Sequence, residues 1–451
     1  MTKTMDLFDY NKMSNTQLIT ILLCFLMNML DGMDVMVVSY AAPAIAKEWD
    51  FTMQTLGVVF SAGLVGMTVG TLLIAPRADI VGRRGVILLC AVIMGITVFA
   101  TYLAQSIEAL IFFRFISGIG IGGMLASSAT LTSEYAPKPT KDFWVSFVMS
   151  GYPVGAVLSG LAAAKIIPAY GWRAMFQTAG VVTLLTLPLI YYFLSESLDF
   201  LVKKRPANAL QNINAILNKM NQPTLSELPA LQYANNATSV APKQGLTISE
   251  RVQIFIQMIK DALLTPERKL PTLWLWTALF MSFGSMYYLL TWIPKLAAST
   301  GLSMELAIYA GTVFNLGAFI GIVTQGYLSS TFGLRRTILW FFIGTASLMA
   351  IFGFFKGSVV VLVLFGLIGF GIQGGFVGLY AVAARLYPTE IRSTGVGFGM
   401  SMGRIGGIVG PFLGGLLATM KLSITDCFLV FAIPVILAGI ATMMIQSKEI
   451  K

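Results

Sequence analysis

The sequence predicts an all-α membrane protein, twelve transmembrane helices arranged as two pseudo-symmetric six-helix bundles. Three observations lead there. The chain has 451 residues, 56% of them apolar and only 11% charged; soluble domains carry about 25% charged residues, so this charge cannot cover a water-facing surface. Twelve apolar runs each approach the ~20 residues that a helix needs to cross a bilayer core of about 30 Å. The two halves of the chain also repeat at a fixed offset of 251 residues. The same composition excludes other classes. The apolar excess rules out disorder, and three cysteines (Cys24, Cys90, Cys427), each inside an apolar run, read as small packing residues rather than a disulfide scaffold. With no histidine in the chain, His-based metal or acid–base chemistry is unavailable. The net charge of +10 is not gathered on a soluble face, so it does not indicate nucleic acid.

The runs fall at 17–40, 55–75, 85–105, 108–134, 142–165, 173–194, 272–293, 306–328, 335–355, 358–386, 393–419 and 424–446. The first is no signal peptide, because a polar stretch precedes it, Asp31 and Asp34 interrupt it, and Ala44-Ile45-Ala46 is not read as a cleavage site. Residues 1–194 therefore form one bundle and 272–451 the other, joined by a central loop, 195–271. That loop begins Ser195-Glu196-Ser197, passes through a Pro/Asn/Ala-rich stretch at 221–245 that reads as flexible, and contains an Asn236-Ala237-Thr238 sequon. It ends in a capping-box pattern, Thr247-Ile248-Ser249-Glu250, before an amphipathic stretch to Leu264 expected on the membrane surface. The short loops set the orientation. With the N-terminus inside, nine cations (Arg77, Arg83, Arg84, Lys138, Lys141, Arg335, Arg336, Arg385, Arg392) face the cytoplasm and six (Lys47, Lys165, Arg173, Lys295, Lys356, Lys421) face outward.

At the 251 offset, Gly66 matches Gly317, Gly70 matches Gly321, Gly82 matches Gly333, Arg84 matches Arg335, Gly118 matches Gly369, Pro137 matches Pro388 and Gly155 matches Gly406. A gapless register through two loops points to duplicated six-helix halves, the arrangement of secondary transporters that hold substrate near the midplane. Two G-x-G-x-x-G matches, Gly118 to Gly123 and Gly369 to Gly374, lack a preceding strand and read as helix packing.

Four charged residues lie deep inside the runs: Asp31 and Asp34 on the first, Arg114 on the fourth and Arg404 on the eleventh. Ionisable groups in a membrane are costly, so a functional role is the default. Asn28, Asp31 and Asp34 recur every three residues along one helix face. Like charge and desolvation both favour protonation of one carboxyl in such a pair, which makes it the natural proton carrier in a chain without histidine. At ~1.5 Å per residue Asp34 and Arg114 both lie roughly 9 Å from the outer ends of their helices, so they can meet. Arg404 lies roughly 16 Å from the inner end of its helix, where a guanidinium wants a carboxylate and a substrate carboxylate would satisfy it bidentately.

Between the second and third runs stands Ala75-Pro76-Arg77-Ala78-Asp79-Ile80-Val81-Gly82-Arg83-Arg84, and between the eighth and ninth its partner, Gly326 to Arg336 with Gly333, Arg335 and Arg336. A tight glycine turn with paired arginines places fixed charge against neighbouring helix ends, where an ionic latch can hold one conformation. Glu134, Arg385 and Glu390 complete the expected gate. These loops resemble the signature of the major facilitator superfamily, as do Arg114 with Gly118 and Gly122 on the fourth run and Gly151-Tyr152-Pro153-Val154-Gly155 on the fifth. The likeness extends over essentially the whole chain. Ala75 stands where that family usually has glycine, and Ser330 replaces the acidic residue of the second copy, which weakens the second latch.

Leu30-Asp31-Gly32-Met33-Asp34 narrows the resemblance to the aromatic acid:proton symporter family, as do Arg114 and Gly403-Arg404-Ile405-Gly406. At the repeat offset Asp31 and Asp34 become Ser282 and Ser285, so the charged machinery belongs to one half only. The resemblance implies a proton-coupled importer of benzoate-type and hydroxybenzoate-type acids in the bacterial cytoplasmic membrane, working without cofactor, metal or nucleic acid, as a monomer. Arg114 and Asn28 join Arg404 as candidates to bind the substrate, Phe283, Tyr287 and Tyr288 are candidates to face its ring, and Asn315 and Gln373 to bond a ring hydroxyl. A carrier of non-aromatic organic acids such as ring-cleavage dicarboxylates would use the same charges. A drug-type antiporter would leave Arg404 without a purpose, and a non-transporting nutrient sensor would need a larger soluble domain than residues 195–271. An enzyme lacks any nucleophile–base or metal constellation.

Overall fold

In the computed structural model the described residues are 13–50, 52–137, 140–228, 257, 263–355, 357–387, 391–420 and 422–445. Among them the regular structure is helical throughout. The crossings are α1 (Asn15–Trp49), α2 (Met53–Leu73), α3 (Arg83–Thr101), α4 (Ile107–Tyr135), α5 and α6 within the run Gly151–Phe193, α7 (Lys269–Ser299), α8 (Met304–Phe332), α9 (Leu334–Ile351), α10 (Ser358–Leu386), α11 (Arg392–Thr419) and α12 (Ile424–Met444). Among the described residues eleven helical segments are long and apolar enough to span a membrane. The twelfth crossing is hidden in one of them, because α5 and α6 are separated only by Gly171, whose φ of 81° breaks the helix. Two separate helices with a loop at 166–172 were expected there; one left-handed glycine makes the whole turn.

The helix ends have local causes. Ser14 and Gln17 form a capping box that starts α1, and left-handed Asp50 stops it. It runs nine residues past the expected Tyr40, since Ala41, Ala42 and Ile45 remain buried and continue the apolar face. Thr52, Ser106, Ser303 and Ser423 cap α2, α4, α8 and α12 with their side chains.

The repeat is visible in the bounds and in the packing. Adding 251 to Ile107–Tyr135 gives 358–386, the bounds of α10. Gly66 abuts the carbonyl of Phe115, and Gly317 abuts that of Gly366; Gly155 abuts the carbonyl of Met29, and Gly406 that of Phe280. Each pair is related by 251. A side chain at any of these four positions would collide with backbone, so the glycines are what let neighbouring helices touch.

The central segment departs from a plain loop. Leu198–Lys204 and Ala209–Lys219 are helices, and their Phe200, Leu201, Ile213 and Leu217 join the buried core of the first half. Thr16 at the start of α1 donates to the carbonyl of Lys219 at 2.9 Å, which ties this platform to the end of the bundle carrying the arginine-rich loops. The expected amphipathic stretch from Thr247 and the sequon at Asn236 lie outside the described residues.

Gly317→Ala must push α8 off α10 and is expected to destabilise the protein by about 1–3 kcal/mol, as overpacked sites do. Gly344→Ala, with nothing within 4 Å of the new methyl, is expected to change stability by less than about 0.5 kcal/mol. Thermal unfolding of the two purified variants compares them.

Candidate functional site

The polar face of α1 is buried as expected: Asn28 and Asp31 are 2% exposed and Asp34 1%. The three residues face different partners. Asn28 donates to the carbonyl of Cys24 at 3.0 Å and to the Ser128 hydroxyl on α4 at 3.2 Å, which pins α1 to α4. Asp34 Oδ1 meets Arg114 at 2.6 Å, and the same guanidinium donates to the main-chain carbonyl of Asp34 at 3.0 Å. Arg114 also donates to the Ser117 hydroxyl and lies over the Phe176 ring, 5.8 Å from its centroid. A guanidinium this deep is tolerable because its charge is matched and both terminal nitrogens donate.

One turn away, Asp31 has no ion pair among the described residues, and its Oδ1 is shut off from solvent without a hydrogen-bond partner. The charges of Asp34 and Arg404 act on it. Arg404 comes from α11 in the other half and is only half-buried. Three tyrosines stand near Arg404 or Asp31. Tyr287 on α7 is within electrostatic reach of both Arg404 and Asp31, Tyr380 on α10 of Arg404, and Tyr152 on α5 of Asp31. The Tyr152 hydroxyl is also buried and unpartnered. The unpartnered carboxyl of Asp31, near a half-exposed guanidinium and phenol rings, is a site that can hold an anion beside a titratable group.

The aromatic candidates divide. Phe283 and Tyr287 stack with centroids 6.0 Å apart, and Phe376 closes edge-on to Phe283 at 4.6 Å. Tyr288 takes no part: it stacks face to face on Phe431 of α12 at 3.6 Å, inside the core of the second half. Successive residues on a helix point about 100° apart, so the neighbours Tyr287 and Tyr288 cannot both face one site. Asn315 is fully buried and donates to the carbonyl of Gly311 at 2.8 Å. It lies beside Tyr40 of α1, between the halves, rather than at Arg404. Gln373, 7% exposed, shares its face of α10 with Phe376 and Tyr380.

The first arginine loop makes a compact latch. Arg83 pairs with Glu134 at 3.0 Å. Gly82, at φ 105°, turns the chain so that the first two amides of α3, those of Arg83 and Arg84, donate to Glu196 at 2.9 and 3.2 Å. Arg84 donates to the carbonyl of Tyr191 and lies over its ring. Glu196 was not among the residues expected here, although an acidic residue directly after the sixth run was a readable signal. The second loop has no such acid: Arg335 instead donates to the carbonyl of Ile445 at 2.5 Å, while Arg336 and Arg385 are exposed. The side chain of Asp79 and all of Glu390 lie outside the described residues.

At the opposite end the halves close on each other. Ser39 donates to the carbonyl of Thr291 at 2.7 Å, Ser61 to that of Ile408 at 2.8 Å, and Lys165 pairs with Glu305 at 2.7 Å. Phe60 packs edge-on against Trp292 at 5.4 Å. Below this seal a cavity of about 30 Å³, lined by Asp34, Arg114, Ser117, Tyr287 and Thr291 among others, has room for one water. The bundle is therefore sealed away from the arginine loops.

The profile of the major facilitator superfamily matches residues 24–325 and 275–449. The chain belongs to that superfamily. It is a multi-pass membrane transporter, not an enzyme. Among its relatives, the benzoate transport protein of Acinetobacter baylyi is 29% identical over 98% of this chain and 92% of its own length. The 4-hydroxybenzoate transporter PcaK of Pseudomonas putida is 31% identical over 95% of this chain and 92% of its own. The gallate transporter of Pseudomonas putida is 29% identical over 97% and 93%. In fold the chain is similar to the xylose transporter XylE from E. coli in a partially occluded inward-open conformation. The TM-score is 0.71 at 17% identity, covering 95% of this chain and 97% of that one.

Arg114→Ala strands the Asp34 carboxylate in the bundle and is expected to cost about 3–5 kcal/mol, the range for breaking a buried ion pair. The double variant Asp34→Asn/Arg114→Gln removes both charges and is expected to lose less. Thermal unfolding of each in detergent, against the parent, gives the comparison.

Proposed function

We propose that this transporter is a proton-coupled symporter that imports small aromatic carboxylates of the benzoate and hydroxybenzoate type across the bacterial cytoplasmic membrane, as a monomer, with both termini in the cytoplasm. The observation that carries the reading is the pairing of Asp31, unpartnered, with Arg404, half-exposed, from opposite halves. The names of the relatives, which carry benzoate, 4-hydroxybenzoate and gallate, support the substrate class. The sealed end is then the outer one, and the structure corresponds to an inward-facing state.

Two charges from opposite halves explain the coupling. With a proton alone Arg404 is left uncompensated, and with a carboxylate alone Asp31 is, so moving the halves then carries an unmatched charge through a low-dielectric interior, which is costly; with neither ligand the two opposite charges offset each other. A proton on Asp31 and a carboxylate on Arg404 neutralise both together, so the halves rock with both ligands or with neither. Asp34 remains bound to Arg114 and holds α1 against α4 while this happens. Inside, the Arg83–Glu134 pair and the Glu196 cap keep the first half rigid.

Asp31→Asn fixes the neutral form. It is expected to abolish accumulation driven by a pH gradient in proteoliposomes while leaving substrate exchange across the membrane; retention of gradient-driven accumulation would refute the assignment. Arg404→Ala removes a charge-assisted bidentate contact worth about 1.5–3 kcal/mol. Its expected effect, about tenfold to a hundredfold weaker benzoate binding, is read by calorimetry. Lys165→Glu places like charges across the outer seal, and a cysteine at Ser39 should then react faster with a membrane-impermeant thiol reagent added outside.

A further inference from the structure

Several glycine-to-backbone contacts recur at the 251 offset, and at one pair of positions the sizes of the two partners are exchanged. In the first half Gly32 of α1 lies against the backbone of Tyr152 on α5. Adding 251 to both gives 283 and 403, and there the sizes are exchanged: α7 carries Phe283 and α11 carries Gly403. The ring of Phe283 lies over Gly403, and a methyl group there would come within 2.6 Å of two ring carbons. One turn on, Gly407 receives the ring of Tyr287, with its nearest ring atom 3.0 Å from the position of a methyl group. Two stacked rings thus lie against α11 at Gly403 and Gly407, one turn apart, next to the position that carries Arg404.

The rings have little freedom to retreat. Phe376 stands edge-on to Phe283 at 4.6 Å, and α7 cannot back away from α11 because Gly406 and Gly410 abut the carbonyls of Phe280 and Gly284. The same stretch is where the charged residues break the repeat: Arg404 corresponds to Pro153, and Asp31 to Ser282. The scaffold is symmetric, and the exchange of ring for glycine coincides with the asymmetric charge. Packing needs alone would have been met by the arrangement already present in the first half.

We propose that Gly403 is a specificity-determining residue, which lets the Phe283 and Tyr287 rings form a flat wall beside Arg404 and so selects planar aromatic carboxylates over saturated ones of the same size. The proposal rests on the substrate class proposed above and names the residue that enforces it. Gly403 acts through Phe283, so it positions the wall and does not itself bind the substrate.

Benzoate and cyclohexanecarboxylate carry the same carboxylate on a flat and a puckered six-membered ring. Their affinities for the purified full-length protein are compared by calorimetry. In Gly403→Ala the preference for benzoate should fall at least fivefold through weaker benzoate binding. Gly397→Ala, on the same helix with nothing within 4 Å, should keep the parental ratio. Thermal unfolding of each variant reports folding, and Phe283→Leu, which removes the flat wall without adding bulk to α11, should lower the ratio in the same way. A folded Gly403→Ala or Phe283→Leu with a ratio within twofold of the parent overturns the role of the wall while leaving the aromatic assignment intact. A parent protein that does not prefer benzoate overturns both.

Discussion

The ion pair between Asp34 and Arg114 is the interaction on which the rest of the site depends. Two charges, 1% and 3% exposed, persist in an apolar bundle because they neutralise each other and because Ser117 and the Asp34 carbonyl accept further hydrogen bonds from the terminal nitrogens of the guanidinium. With Arg114 committed, Asp31 one turn away is left without a counter-ion of its own. In the proposed mechanism this leaves it to take the proton while Arg404 takes the substrate. If Arg114 were free to pair with either aspartate, the two carboxyls would share one partner and neither would report on the other half.

That arrangement requires halves that move as bodies. Glycine-to-carbonyl contacts repeated at the same offset, Gly66 with Phe115 and Gly317 with Gly366, give each half a backbone-on-backbone interface that side chains cannot soften. The Arg83–Glu134 pair and the Glu196 cap lock α3, α4 and the end of α6 together at the arginine-loop end. Between the halves, α2 and α11 approach through Gly57 and Gly415, and the polar links at the sealed end are single hydroxyls on carbonyls and one exposed ion pair, with a ring contact beside them. Weak bonds between rigid bodies are what an alternating mechanism needs, since exposed ion pairs and lone hydrogen bonds are each worth only about 1 kcal/mol.

Much of this was legible in the chain. Twelve apolar runs, the 251-residue repeat and the four charges at membrane depth all follow from local composition and spacing, and helix depth alone allowed Asp34 and Arg114 to meet. The azimuth of a side chain was harder. Tyr287 and Tyr288 are equally aromatic and equally deep, yet one faces Arg404 and the other Phe431, because helix rotation is set by neighbours far away in sequence. Asn315 was misjudged in the same way, since Tyr40, which it lies beside, belongs to the other half. Glu196 was overlooked because its role is to accept from two amides of α3, and no spacing rule links a residue to a helix that starts 113 positions earlier.

By itself, then, the sequence determined the class, the duplication and the inventory of charges, because a bilayer punishes any apolar deficit and any unpaired ion within a single helix. Which charge meets which partner, which ring faces the site, and which end of the bundle is sealed were decided only by the packing of twelve helices. Those outcomes depend on rotations and contacts between segments that lie next to each other in space and hundreds of residues apart in the chain.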